Sequence, residues 1–450
     1  MAGTLSKNKL IQYIFLSLGV TASQIALILI GMSDSVMMGR ESSEGLAAGT
    51  WVSSIYNLGL LFCMGMIIPI AIILGRSKNN HGQSNVQIIA QYCRIVFILS
   101  VLVAIFLVVA VRVNYFFGKD QLVLEIAEKY AFGIIPGIFP WVMFYLIRNI
   151  LLCEQKVKLT TVLSILSVIL NIALNYLFIY GVGNIKGLGT TGCAVATSIT
   201  NWIIFLIAFV ILRRNKRLMP TYKELFQVNH SNCKEILKLG IPTGLMFFSE
   251  SLIFAAGNSM LASINTEAVV AFGIAVSWLN LSYMFPVALS QVVTEPLTEY
   301  YTMGKYKEFT SVSNSSLKVT LIYNIVCIMM IIFFRKYMIY AIIGNNSTES
   351  IYFLAEIFLY FTAAIIFVYN FIVVFSGILR GFGDVKTPLL MMFIMYWVIG
   401  VGGTLVLTYL IGSYGVLIGM LIGFTLTFLG IMSTYRRKMS EEFNETRISN

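Results

Sequence analysis

The stretch 16-LSLGVTASQIALILIGMSDSVMMG-39 governs how the remaining chain is read. It is long enough to cross a bilayer, whose ~30 Å hydrocarbon core takes about 20 mostly apolar residues in a helix. Yet it carries a carboxylate, Asp34, three quarters of the way along. At about 100° per residue, Ser23, Leu27, Ile30 and Asp34 fall on nearly one face. Gly19, Gly31 and Gly39 leave the backbone open to neighbouring helices. An acid at the centre of a span costs about 2.5–3.5 kcal/mol even on the lenient insertion scale, so by default it marks a functional site. The plainer reading is an acid near enough to the outer end to reach interfacial water.

Composition extends this reading to the whole chain. Of 450 residues, 58% are hydrophobic and 11% charged, against roughly 25% charged in a soluble domain. The apolar runs are unbroken, where barrel strands would alternate, so the chain is expected to be an all-α polytopic membrane protein. Leu10 to Met38 is too long for the core of a cleavable signal and lacks a small-residue cleavage pattern. The six cysteines (Cys63, Cys93, Cys153, Cys193, Cys233 and Cys327) are scattered and read as small hydrophobes, with no disulfide frame or metal spacing. His81 and His230 stand alone in polar segments, so no resident metal or cofactor is expected. With no GxxxxGK[ST] for nucleotide and no soluble domain to house chemistry, the chain does not read as an enzyme.

Twelve spans follow in order: 12–38, 46–74, 90–115, 127–152, 159–182, 188–213, 235–263, 268–297, 314–342, 350–379, 387–411 and 414–435. Lys7 and Lys9, Arg76 and Lys78, Lys156 and Lys158, and Arg213, Arg214, Lys216 and Arg217 fall on one side. Lys305 and Lys307, Arg380 and Lys386, and Arg436, Arg437 and Lys438 follow on the same side. That side holds 23 Lys or Arg and the other 7, with Arg148 left inside a span, which accounts for all 31. The positive-inside rule puts both termini in the cytoplasm, in a multi-pass plasma (inner) membrane protein. The net charge of +11 is thereby a topology signal, and no nucleic-acid partner is expected.

The chain also repeats itself. LSLGVTASQ (16–24) answers KLGIPTGLM (238–246), and an offset of 223 pairs Gly19 with Pro242 and Glu44 with Glu267. ILLCEQKVKLT (150–160) answers ILRGFGDVKTP (378–388) at an offset of 228. GLGTTG (187–192) and GSYG (412–415) close corresponding span pairs. The expected organisation is an N-terminal six-helix bundle over 1–212, a cytoplasmic connection over 213–234, and a C-terminal six-helix bundle over 235–450 with a short cytoplasmic tail. Same-sense repeats imply bundles related by a pseudo-two-fold axis along the membrane normal, an arrangement that suits alternating access.

Six blocks, in order and spacing from about Leu16 to Phe424, resemble the multidrug and toxic compound extrusion (MATE) family. They are LAAGTWVSS (46–54), NIALNYLFIYG (171–181), LGTTGCAVATSITNW (188–202), LGIPTGLMFFSESLIF (239–254), EAVVAFGIAVSWLNLSYMFP (267–286) and SGILRGFGDVKTPLL (376–390). The NxxxNY of the fifth span is similar to the bacterial NorM-type branch. The resemblance implies a cation-coupled antiporter, driven by proton or sodium influx, that exports amphipathic, often cationic, compounds. A flippase for a lipid-linked saccharide, or a dedicated exporter of one natural product, is the alternative. The expected partners are a small organic substrate and the lipid bilayer, with no nucleotide, and the protein is expected to be monomeric.

Carried over residue by residue, the resemblance implies an ion-coupling set of Asp34, Asn171 and Asn175, with sodium as one ion that set can take. Asn171 and Asn175 are four apart and share a helix face, and their plain reading is interhelical glue. Gly19 occupies the family's proline position, so bending of the first helix would come from glycine. Glu250, eight residues after Pro242, matches the seventh-span acid, with Thr243, Met246, Phe247, Phe254 and Gly257 on its face. In the tenth span Tyr369, followed by Asn370, stands where the branch carries an aspartate. Glu250, Tyr369 and Asn370 are therefore the candidate substrate or secondary ion site, without the family's second acid. Arg148 is expected to snorkel to headgroups or contact the elbow, or else to bind a substrate anion or pair with Glu154. Glu295 is expected to be exposed at the cytoplasmic mouth. Thr387-Pro388 reads as an N-cap with a first-turn proline, and Asp384 with Lys386 as a solvated elbow.

Overall fold

The structure, a computed structural model, describes residues 7–77, 85–113, 121–183, 185–214, 220, 224, 230–344 and 349–448. Lys78, His81, Lys216 and Arg217 lie outside the described residues, as do the side chains of Lys7, Lys9 and His230. Among the described residues, 12 helices are long and apolar enough to cross a membrane. They run Gln12–Glu41, Ser43–Ser77, Asn85–Val113, Gln121–Cys153, Val157–Tyr180, Thr190–Arg213, Asn232–Ala262, Thr266–Thr302, Tyr306–Ile342, Glu349–Gly381, Lys386–Ile411 and Ser413–Glu441. All twelve expected spans are present. Their ends reach further than apolar length alone implies: the eighth helix continues through Pro296 to Thr302, and the ninth begins at Tyr306. Large apolar side chains of the third span, among them Phe97, Ile98, Leu102 and Ile105, face outward, which suits a lipid solvent.

Prolines break or bend several spans, and neighbouring helices take up the freed carbonyls. Pro140 has no N–H to return to Pro136 four residues back, and the Pro136 carbonyl accepts instead from Trp202 Nε1 at 3.0 Å. Beside that kink, Ser198 donates to the Gly133 carbonyl (2.7 Å) and Asn201 to Gly137 (3.2 Å). Likewise Pro286 frees the Ser282 carbonyl, which receives the Tyr323 hydroxyl at 3.0 Å. The second span is interrupted at Ile68-Pro69, and π-helical turns end the fifth span (Tyr176–Tyr180) and run through the eleventh (Met392–Val401).

By contact the chain falls into two compact units, one of Gly19–Phe248 and one of Met1–Leu18 with Ser249–Asn450. The cuts lie within the first and seventh helices, at Gly19 and Ser249, while most of the 213–234 connection is outside the described residues. The first helix runs continuously through Gly19. A Cβ there would stand 2.6 Å from Val157 Cγ1, so Gly19 is used for close packing against the fifth span, with Thr161 donating to its carbonyl at 2.8 Å.

Within each unit the repeat is visible in geometry. Ser42 accepts from Gly45 N (3.0 Å) at the start of the second span, and Asn265, 223 positions on, accepts from Glu267 N (2.8 Å) at the start of the eighth. Arg112–Glu128 (2.8 Å) ties the third span to the fourth; Arg335–Glu356 (2.5 Å), at the same two offsets of 223 and 228, ties the ninth to the tenth. Gly189 and Gly412, again 223 apart, both have positive φ (58° and 64°) and both accept from the glycine three residues on at 2.9 Å. That backbone region strains any residue with a Cβ, which is why both turns keep glycine.

Candidate functional site

Asp34 is at the centre of a closed hydrogen-bond ring built by the first, fifth and sixth spans. Asn175 Nδ2 donates to Asp34 Oδ1 at 2.6 Å and to Asn171 Oδ1 at 3.2 Å. Asn171 Nδ2 donates to Thr197 Oγ1 at 3.1 Å, and Thr197 closes the ring by donating to Asp34 Oδ2 at 3.4 Å. Asn171 and Asn175 are fully buried and Asp34 is 9% exposed. Asn175 Oδ1 has no hydrogen-bond partner among the described residues. All three predicted residues of this set therefore come together.

Sequence reasoning missed Thr197. The signal was present as Thr190, Cys193 and Thr197 on one face of an apolar helix (positions i, i+3, i+7). What the ring offers chemically is one carboxylate, two amide oxygens and a hydroxyl, all hard oxygen donors of the kind that hold a proton or an alkali cation.

The second unit has a different polar centre. Glu250 accepts from the Tyr283 hydroxyl at 3.2 Å and, on its other oxygen, from Tyr369. The two phenol rings are stacked, 5.0 Å between centroids and 19° between planes. Phe424 stands 4.9 Å from Tyr369 and 4.5 Å from Tyr396, and Phe254 6.2 Å from Tyr369, so the carboxylate lies against an aromatic cluster. Tyr369 thus meets Glu250 as a donor where a second acid would repel it. Asn370, one residue on, turns elsewhere and donates to Asn324 at 2.8 Å. Tyr283 is the member of this centre that sequence reasoning missed.

Four peripheral expectations are corrected. Arg148 is buried, only 1% exposed, and neither snorkels nor pairs with Glu154, which is exposed. Glu295 is also buried, because the eighth helix carries on past it. The helix cap of the eleventh span is supplied by Asp384, which accepts from Thr387 N (3.0 Å) and Thr387 Oγ1 (2.7 Å). Asp384 is not simply solvated either: Lys438 of the last helix stands 2.7 Å away and 5.9 Å from the Phe382 ring.

The MatE family model matches residues 20–177 and 242–410, once in each half. A probable multidrug resistance protein NorM from Bacillus cereus is 30% identical over 462 residues, covering 98% of both chains. The protein of that name from Bacillus subtilis is 27% identical over 440 residues, with 95% of each covered. Among solved structures, an outward-facing multidrug resistance MATE family transporter of the MOP superfamily is similar with a TM-score of 0.84 at 21% identity, over 98% of this chain and 99% of that one. A MOP superfamily transporter from Pyrococcus furiosus gives 0.86 at 19% identity, with 98% and 99% covered. At such identities the solved structures speak for the fold.

Proposed function

Because this chain belongs to the MatE family, matched in both halves and over nearly its full length by relatives, we propose that it is a secondary active antiporter that exports amphipathic organic cations by alternating access. The energy comes from inward movement of protons or sodium. The observation that carries this reading is the ring around Asp34: a buried carboxylate held by the Asn175 amide and the Thr197 hydroxyl, with the Asn175 amide oxygen left over.

In the proposed cycle an ion enters from outside and neutralises Asp34. A proton would occupy a carboxylate oxygen and displace the Asn175 or Thr197 donor; sodium would gather Asp34, Asn171 and Asn175 oxygens with the Thr197 hydroxyl. Either change redistributes hydrogen bonds among the first, fifth and sixth spans, and the first helix repacks. An ion biases two states only by its differential affinity for them, and about 1.4 kcal/mol of difference is a tenfold shift. Organic cations fit the second centre, where Glu250 supplies charge and Tyr283, Tyr369 and Phe424 supply ring faces. The excess of Lys and Arg on one side supports cytoplasmic termini in the inner membrane.

Uptake of a fluorescent cationic dye into inside-out vesicles tests this. A lumen-high proton or sodium gradient should drive accumulation, and a matching ionophore should collapse it. Accumulation that needs nucleotide, or none under either gradient, overturns the reading.

A further inference from the structure

The Gly19–Phe248 unit contains a cation that the proposed transport cycle does not use. Arg148 lies five residues before the fourth span ends at Cys153, about 7.5 Å of helix. Among the described residues it leads the largest fully buried side chains, and none of its Nε, Nη1 and Nη2 atoms has a hydrogen-bond partner. Its guanidinium lies over the Tyr145 ring, 5.5 Å from the centroid, and Tyr145 stacks on Trp141 at 5.7 Å with planes 5° apart. One face of the guanidinium is therefore capped by an aromatic column, while its nitrogens have no hydrogen-bond partner among the described residues. Arg380, buried in the other unit, differs in donating to Ser290.

A guanidinium stays charged at any pH a protein survives, and a buried charge without a partner is among the most costly features a fold can keep. A planar fork of donors beside an aromatic face matches one chemistry, a two-oxygen anion bound edge-on. We propose that Arg148 anchors an oxyanion site for a carboxylate or phosphate group, with Tyr145 as its wall. Its depth, one to two turns in from the helix end, is within reach of two sources. One is the phosphate of an anionic lipid headgroup inserted between helices; the other is a dissolved anion. At the offset of 228 the second half has Ser376, so this site has no counterpart in the repeat.

The test uses the full chain in neutral detergent, with no gradient imposed, so it stands apart from the transport reading. The unfolding temperature is followed while phosphatidylglycerol or inorganic phosphate is titrated, against sodium chloride of equal ionic strength and against phosphatidylcholine. A saturable rise above those controls is expected in the wild type. A rise with phosphatidylglycerol alone assigns the lipid source, and a rise with phosphate the dissolved one. Arg148→Met should lose the rise while being at least as stable as wild type in the absence of either probe. Arg148→Lys, which keeps the charge but loses the planar fork, should need at least tenfold more probe for half-saturation, and serves if the methionine variant does not fold. No rise in wild type above the controls, an equal rise in Arg148→Met, or an unchanged half-saturation in Arg148→Lys overturns the proposal.

Discussion

Asn175 donates to Asp34 Oδ1 at 2.6 Å, while its own amide oxygen is buried with no hydrogen-bond partner among the described residues. Both donors of that amide are spent, one on the carboxylate and one on Asn171. The ring is consequently rich in acceptors and short of one positive partner. A buried acceptor left idle normally costs about 1–3 kcal/mol, so a proton or cation arriving here relieves a deficit already built into the fold.

Thr197→Val keeps the volume but removes the hydroxyl that donates to Asp34 and accepts from Asn171. Two edges of the ring open, and the Asn171 amide loses its acceptor. We expect the ion concentration for half-maximal export to rise about tenfold, equivalent to ~1.4 kcal/mol, with insertion unchanged. Dye export measured against sodium and proton concentration checks this; an unaltered ion dependence would remove Thr197 from the site.

Tyr369→Phe deletes one donor to Glu250 and leaves the stacked rings in place. Export should weaken without vanishing. Glu250→Gln should also weaken export while leaving some ion-driven transport. Because the phenol acts through the carboxylate, the double variant should lose little more than Glu250→Gln alone. Fully additive losses would mean that the two residues work separately. Abolished coupling in Glu250→Gln, with coupling intact in Asp34→Asn, would reverse the roles of the two halves.

Much of this is legible in the amino-acid sequence, and the reasons are physical. Lipid demands long helices, so spans show as apolar runs; a carboxylate inside one is conspicuous, and Asn171 and Asn175 declare a shared face by spacing. Thr197 showed only as one member of a polar stripe on the sixth span, because a threonine in an apolar helix can equally bond its own backbone, and only the meeting of three helices gives it a partner. Tyr369 read as the loss of an acid, whereas it replaces repulsion between two carboxylates with a hydrogen bond. Asn370 read as its companion, yet a rotation of about 100° per residue sends it to Asn324. Glu295 looked peripheral because apolar length marks where lipid ends, not where a helix ends, and Arg148 because nearness to the end of a span does not reveal which side chains bury it.

Asp384 gives a prediction in acid. Burial alone would push its carboxyl up, but the Lys438 ammonium and the Thr387 N–H and hydroxyl outweigh it and hold the group below the usual carboxylate range. A carboxyl lowered on folding adds stability that is present above its unfolded pKa and lost as pH falls through the folded value. Asp384→Asn should therefore be less stable than wild type near neutrality, by roughly 0.5–1 kcal/mol for a partly exposed pair. The gap should close below the ordinary carboxylate range. Unfolding temperatures of both proteins across that range decide it, and a gap that persists in acid would show that charge is not its source.

Asp34→Asn is the decisive substitution, because the amide nearly matches the carboxyl in size but carries no charge. Its oxygen can still accept from Asn175, and its nitrogen gains donors that the idle Asn175 oxygen can receive, so the ring has a way to remain closed. Removing a charge from within a span does not burden insertion. We therefore expect normal expression and folding. What is lost is the difference between an empty and an ion-loaded site, since a neutral amide neither takes up a proton nor balances sodium. Without that difference the ion favours neither state of the carrier and cannot drive substrate uphill. Efflux against a gradient should be absent, while downhill exchange of dye, which needs only substrate binding and repacking, should persist at a reduced rate. Both are measured in vesicles at matched protein levels. Gradient-driven efflux at the wild-type rate would rule out Asp34 as the coupling residue.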